Sequence, residues 1–241
     1  MAELYEIKFW AHRFYEHFDL IESIFRRNDL LDDDITQQLR EMQDQWVEVE
    51  NSGGQDDDLY DLINQTRVMK DLVEKRVRYE QLPCVPDLLL HMKEELNYFQ
   101  SAILNQEWTP AEEMKWWAQE HSENLDFNNC QLPIFIEEDS LLSKIVGHPE
   151  EVDQMIYDNA NLSALFAGLQ TENDEQILYQ ELMALKVQHI DGLSKAINSV
   201  SDLPLSEETK KILYASLQHE SQEAEFAFER LEKLHVNYLP F

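Results

Sequence analysis

Glu6-Ile-Lys-Phe-Trp10 and Glu16-His-Phe-Asp-Leu20 return, in the same order and at the same spacing, as Glu113-Met-Lys-Trp-Trp117 and Glu123-Asn-Leu-Asp-Phe127. Further along, His91-x-x-x-Glu95 with Tyr98 returns as His219-x-x-x-Glu223 with Phe226. The chain reads as one module written twice. Around the opening stretch, Ile7, Trp10, Phe14, His17, Ile21, Ile24 and Phe25 recur at intervals of three and four, the period of an amphipathic helix. That period decides the fold class: the chain is all-α.

Working outward, helices are expected near 3–27, from Asp32-Asp-Asp34 to about Glu50, from Asp56-Asp-Asp58 to Pro83, and from Pro86 onward. Acidic runs suit the positive end of a helix dipole. Asn51-Ser-Gly-Gly54 marks a loop. Proline stops a helix but is tolerated in a first turn. Thr109-Pro-Ala-Glu112 is a capping box with proline at the first helical position, and it opens the second half. There, helices are expected to about Cys130, from Pro149, from Thr171 to about Val200 with Gly192 weakening the middle, and from Ser206 to about Leu234. Residues 131–148, with Pro133 and Gly147, read as a long connection. Short links between sets of four helices predict two tandem antiparallel four-helix bundles, residues 1–106 and 107–241.

The chain carries 49 acidic and 19 basic residues, a net charge of −30. Such a field repels nucleic-acid phosphates and anionic membrane surfaces, so neither partner is expected. Solubility accounts for the charge most simply. A docking face for a basic protein partner is the alternative, with mimicry of a nucleic acid as a minor variant. Cys84 and Cys130 have neither metal-type spacing nor a disulfide framework, and both read as thiols of a reducing compartment. The N-terminus shows no signal-peptide pattern, and no apolar run reaches the length of a membrane span. A soluble, cytoplasmic protein is expected.

The chemistry lies in inward-facing histidines and glutamates. Residues four apart on a helix point the same way, so His91 with Glu95, His219 with Glu223, and His12 with Glu16 can each reach one ion. His17 lies on the stripe of Trp10, Phe14 and Ile21, with Glu16 at its edge. His121 lies on the matching stripe of the second half, beside Glu120, and His189 shares a stripe with Leu178, Leu182, Leu185 and Leu193. The first half is therefore expected to gather Glu16, His17, His91 and Glu95, and the second His121, His189, His219 and Glu223. Imidazole with carboxylate suits Fe, Mn or Zn. An inward histidine that only hydrogen-bonds a neighbour is the competing account of each. Glu6 lies about 16 Å along the helix from His17, too far to share an ion with it, and with Glu113 it reads as a supporting, capping or surface group.

These residues also carry a resemblance. Glu-x-x-Phe-Trp10 with Glu16-His17, then Leu82-Pro-x-x-x-Pro-x-x-x-x-His91-Met-x-x-Glu95-Leu-x-Tyr98, and the tail Leu217-x-His219-x-x-x-Glu223, resemble a bacterial family of tandem ferritin-like bundles. Members of that family have no established function, and some are labelled spore-coat-like. The resemblance spans nearly the whole chain. It implies two ferritin-like four-helix bundles with His/Glu metal sites inside, built here from His17, His91 and Glu95 and from His219 and Glu223. The chain departs from the pattern at Asn124, where histidine is expected, and it lacks the Glu-x-x-His di-iron signature on the expected helices.

The function expected is therefore binding of Fe, Mn or Zn, one site per bundle. Oxygen- or peroxide-linked redox chemistry is the first candidate reaction, and zinc-assisted hydrolysis with Glu16 or Glu120 as base is the second. The rival is a metal-free protein presenting its acidic clusters, 32–34 and 56–58, to a basic partner.

Overall fold

The computed structural model describes residues 3–54, 56–82, 84–139, 150–203 and 205–238. Among these residues every regular element is a helix. The chain divides into two compact units, Met1–Trp108 and Thr109–Phe241.

The first unit contains α1 (Leu4–Arg27), α2 (Asp33–Ser52), α3 (Asp56–Glu80) and α4 (Val85–Tyr98), followed by a π-helical segment, Phe99–Leu104. Each end of α1 has its own stop. A capping box joins Glu3 and Glu6 at the start, and Arg26 and Arg27 meet the negative end of the dipole at the finish. Asp32 caps α2 by accepting from the Ile35 amide at 2.8 Å. Gly53 ends it in the left-handed conformation, φ 87°, where a Cβ would collide with Leu4.

Packing runs α1 on α2, α2 on α3 and α3 on α4. The apolar stripe of α1 meets an aromatic core. Phe14 lies 4.7 Å from Trp46 and 5.4 Å from Phe99, and Trp10 lies 5.4 Å from Tyr98, between ring centroids. Such pairs contribute about 0.5–1.5 kcal/mol each beyond area burial. The buried Trp46 indole donates to the Thr66 hydroxyl at 2.9 Å, which removes the penalty of an unmade hydrogen bond.

The second unit contains α5 (Pro110–Asp139), α6 (Glu150–Leu169), α7 (Glu175–Ser199), a 3-10 turn (Val200–Asp202) and α8 (Glu207–Tyr238). Helix α5 packs against the other three. The predicted capping box forms: the Thr109 amide donates to Glu112 Oε2 at 2.7 Å, and the Glu112 amide donates back to Thr109 Oγ1 at 3.3 Å. The Thr109 amide and hydroxyl hold the Glu112 carboxyl below its ordinary pKa. Ser206 caps α8 by accepting from the Thr209 amide at 3.2 Å. Arg230 of α8 grips Glu113 of α5 with two guanidinium nitrogens, so Glu113 is a supporting group.

Several boundaries depart from expectation. Helix α5 continues through residues 131–139, which had read as connection. Residues 140–148 of that connection, and Pro149, lie outside the described residues. Helix α7 starts at Glu175 because Asp174 accepts from the Gln176 and Ile177 amides. Thr171 instead spends its hydroxyl on the Gly168 carbonyl at the end of α6. Gly192 does not interrupt α7. Neither cysteine is free, which corrects the reading of both as thiols. No helix among the described residues is long and apolar enough to cross a membrane.

Candidate metal centre

In the first unit, α1 and α4 bring two histidines to one carboxylate. Glu95 is fully buried, at 0 % exposure. Its Oε2 lies 2.8 Å from His17 Nε2 and its Oε1 lies 3.4 Å from His91 Nε2. The His91–Glu95 contact follows from helix geometry, since residues four apart share a face. The His17 contact needs the packing of the unit, because α1 reaches Glu95 across a sequence separation that periodicity does not specify.

A side chain with no expected role completes this group. Lys70 of α3 is fully buried. Its Nζ donates to the Met92 carbonyl at 2.6 Å and lies 3.0 Å from His17 Nδ1. Where Lys70 is an ammonium it donates to Nδ1, and the ring proton of His17 then sits on Nε2, facing Glu95.

Glu16 stays at the edge of α1. Its carboxylate meets Arg13 Nη1 at 3.0 Å and His12 Nε2 at 3.3 Å. His12 also reaches Glu50 at 3.3 Å. The hydrogen bond to Glu16 raises the His12 pKa above the usual value, against the opposing effect of partial burial.

In the second unit, His219 and Glu223 of α8 repeat the spacing of His91 and Glu95, with His219 Nε2 3.3 Å from Glu223 Oε1. Glu120 of α5 lies near Glu223: ligand oxygens of the two come within 4.8 Å of each other, and both residues are buried. Two carboxylates held so close in the interior repel strongly unless a cation or proton is shared between them. Asn124, where the resemblance wants histidine, donates its amide to Glu120 Oε1 at 3.4 Å. Clusters of His and Glu side chains among the described residues could hold a metal ion.

His121 and His189 meet elsewhere in the same interior, with ring centroids 4.8 Å apart. Aromatic rings surround them: His121 stacks on Trp117 and Phe228, and both imidazoles touch Phe166. His189 Nε2 lies 3.8 Å from Glu220 Oε1, and Asn128 donates its amide to Glu220 Oε2. Burial lowers the His189 pKa to about 4, so the ring is neutral at pH 7.

The sequence reading gave Lys70 and Glu220 no part in these groups, and it named Glu120 as a base rather than a ligand. A signal existed for the glutamates. Aligning Trp10 with Trp117 places Glu120 at Arg13, and aligning His91 with His219 places Glu220 at Met92. Both are acidic where the aligned first-half residue is not.

No family model matches the chain, and no curated protein or solved structure matches it.

Proposed function

We propose that this protein binds a divalent transition metal, Fe, Mn or Zn, through His17, His91 and Glu95 in the first unit and Glu120, His219 and Glu223 in the second. One observation carries the reading. In each unit a fully buried glutamate stands against the imidazole four residues before it, Glu95 with His91 and Glu223 with His219. Burying a carboxylate costs several kcal/mol unless it is paired, and an imidazole–carboxylate donor set fits borderline and hard divalent ions. Glu16 is not among the ligands, because Arg13 and His12 take up its carboxylate.

Two helical units with inward His/Glu pairs also support the ferritin-like bundle arrangement that the sequence resemblance implies. A bound ion with open positions would supply oxygen- or peroxide-linked redox chemistry. The residues would hold the ion, and the surrounding aromatic core would exclude water.

Elemental analysis of the untagged protein, beside His91→Ala and His219→Ala, tests the reading. At least one equivalent of Fe, Mn or Zn per chain is expected, reduced in one or both variants. Absence of metal after reconstitution with all three ions overturns the reading and leaves the acidic surface and a basic partner as the function to pursue.

A further inference from the structure

Helix α2 packs chiefly against α1 and only lightly against α3. Between α2 and α3 lies a groove of about 380 Å3, lined by Glu41 and Met42 of α2 and by Gln65, Val68, Met69 and Leu72 of α3. Met42 and Met69 are buried and form an apolar floor, whereas Val68 and Leu72 are 60 % and 49 % exposed. A single exposed apolar side chain needs no explanation. These two stand one turn apart on one face of α3 and border the same groove.

The charged groups along the groove are acidic. Glu41 lines it, and Asp34 accepts from the lining residue Gln38 at 3.0 Å. Asp61 lies one turn before Gln65 on the same face of α3. Two arginines that could oppose these carboxylates are turned away. Arg40 lies 3.5 Å from Glu22 of α1, and Arg67 donates at 3.0 Å to Asn97 Oδ1 of α4 and to Gln100 Oε1. Lys75 and Arg76 stand one turn beyond Leu72, where Arg76 meets Glu80 at 3.6 Å.

An open trough between two helices accepts the apolar stripe of a third, and methionine side chains adapt to the shape that arrives. Among the described residues of this unit there is no sheet edge for an extended peptide to join. A second copy of the chain would bring the same net charge of −30 against this acidic face, and nucleic acid or an anionic membrane is repelled by the same field. We propose that the α2–α3 groove docks an amphipathic helix of a basic partner protein. Its apolar stripe lies on Met42, Met69, Val68 and Leu72, and its Lys or Arg side chains face Asp34, Glu41 and Asp61. The groove shares no residue with the proposed metal ligands, so loss of one leaves the other intact.

Fluorescence anisotropy of the full chain with a labelled Leu/Lys amphipathic peptide of about 14 residues, about four helical turns, tests this. Saturable binding is expected, weakening as salt screens the charges. Val68→Gln/Leu72→Gln is expected to weaken it at least about tenfold and to leave the metal content unchanged. A scrambled peptide of the same composition is expected not to compete. Equal binding by the double variant, or competition by the scrambled peptide, reduces the interaction to general attraction towards an acidic chain and overturns the groove. No binding by the parent overturns it as well. Self-association of the parent that the double variant loses seats a second copy in the groove and overturns the basic partner. Should the double variant fail to fold by circular dichroism, methyl NMR of the parent carries the test: the peptide is expected to shift the Met42 and Met69 methyl signals, and unmoved signals overturn the groove.

Discussion

Lys70 Nζ lies 3.0 Å from His17 Nδ1 in the interior of the first unit, so a basic nitrogen touches a proposed metal ligand from behind. Where that nitrogen is an ammonium, a dication arriving at His17 Nε2 meets a positive charge across one imidazole ring. Like charges about 7 Å apart, at an effective dielectric near 20, oppose each other by several kcal/mol when one is a dication. Lys70→Met is therefore expected to raise metal affinity in the first unit by at least about tenfold, about 1.4 kcal/mol. A chelator-competition titration checks this, and unchanged affinity would show that Lys70 does not oppose the ion.

Glu95→Gln keeps the side-chain volume and removes the charge between His17 and His91. Metal affinity in the first unit is expected to fall by at least about tenfold, because an amide is a far weaker ligand than a carboxylate. Calorimetric titration of the folded variant measures the change. Retention of full affinity would remove Glu95 from the ligand set.

His189 supplies a pH dependence whose sign is set by burial. Its pKa is about 4 in the fold and near 6.5 in the unfolded chain. Between those values the unfolded state binds more protons, so stability falls as pH drops from about 6.5 towards 4. The full loss is on the order of 3 kcal/mol. The groups facing the ring are His121 of α5 and Glu220 of α8, with Phe166 of α6 as an apolar wall. Urea melts of the metal-free protein and of His189→Phe, at pH 7 and pH 4.5, are expected to show a smaller acid loss in the variant. Equal losses would contradict the assignment.

His12 gives the opposite sign. Its folded pKa is raised by Glu16, with a further contribution from Glu50, so its stabilising effect is present below about pH 6.5 and is lost as pH rises through the folded value. The pairs are half-exposed, which limits the contribution to below about 1 kcal/mol. NMR titration of the His12 ring in the parent and in Glu16→Gln is expected to show a lower midpoint in the variant.

Gly53→Ala is expected to destabilise the first unit by more than about 1 kcal/mol, because the position combines φ 87° with a clash against Leu4. Thermal melts of the two proteins compare directly, and an unchanged Tm would show that the α2 end relaxes freely.

Local signals proved legible wherever one residue specifies its own neighbourhood. The Asp32 and Ser206 caps, the Thr109–Glu112 capping box and the start of α3 at Asp56 are all readable within four residues of chain. The end of α5 was not, because Pro133 and the residues around it suggested a break that the helix does not make. The π-helical turn at Phe99–Leu104, which buries Phe99, Ala102 and Ile103, leaves no local signal in the sequence.

Inwardness of His17, His91, His121 and His189 was likewise a property of the sequence, because helical period alone sets which face a residue occupies. So were the His91–Glu95 and His219–Glu223 contacts, which need only one turn of helix. What tertiary structure decided was partnership between helices: Glu95 with His17, Glu120 with Glu223, His189 with Glu220, and Lys70 with His17. Those pairings depend on the rotation and axial shift of one helix against another. Both are set by how whole apolar faces interlock, and no single residue or spacing along the chain records them.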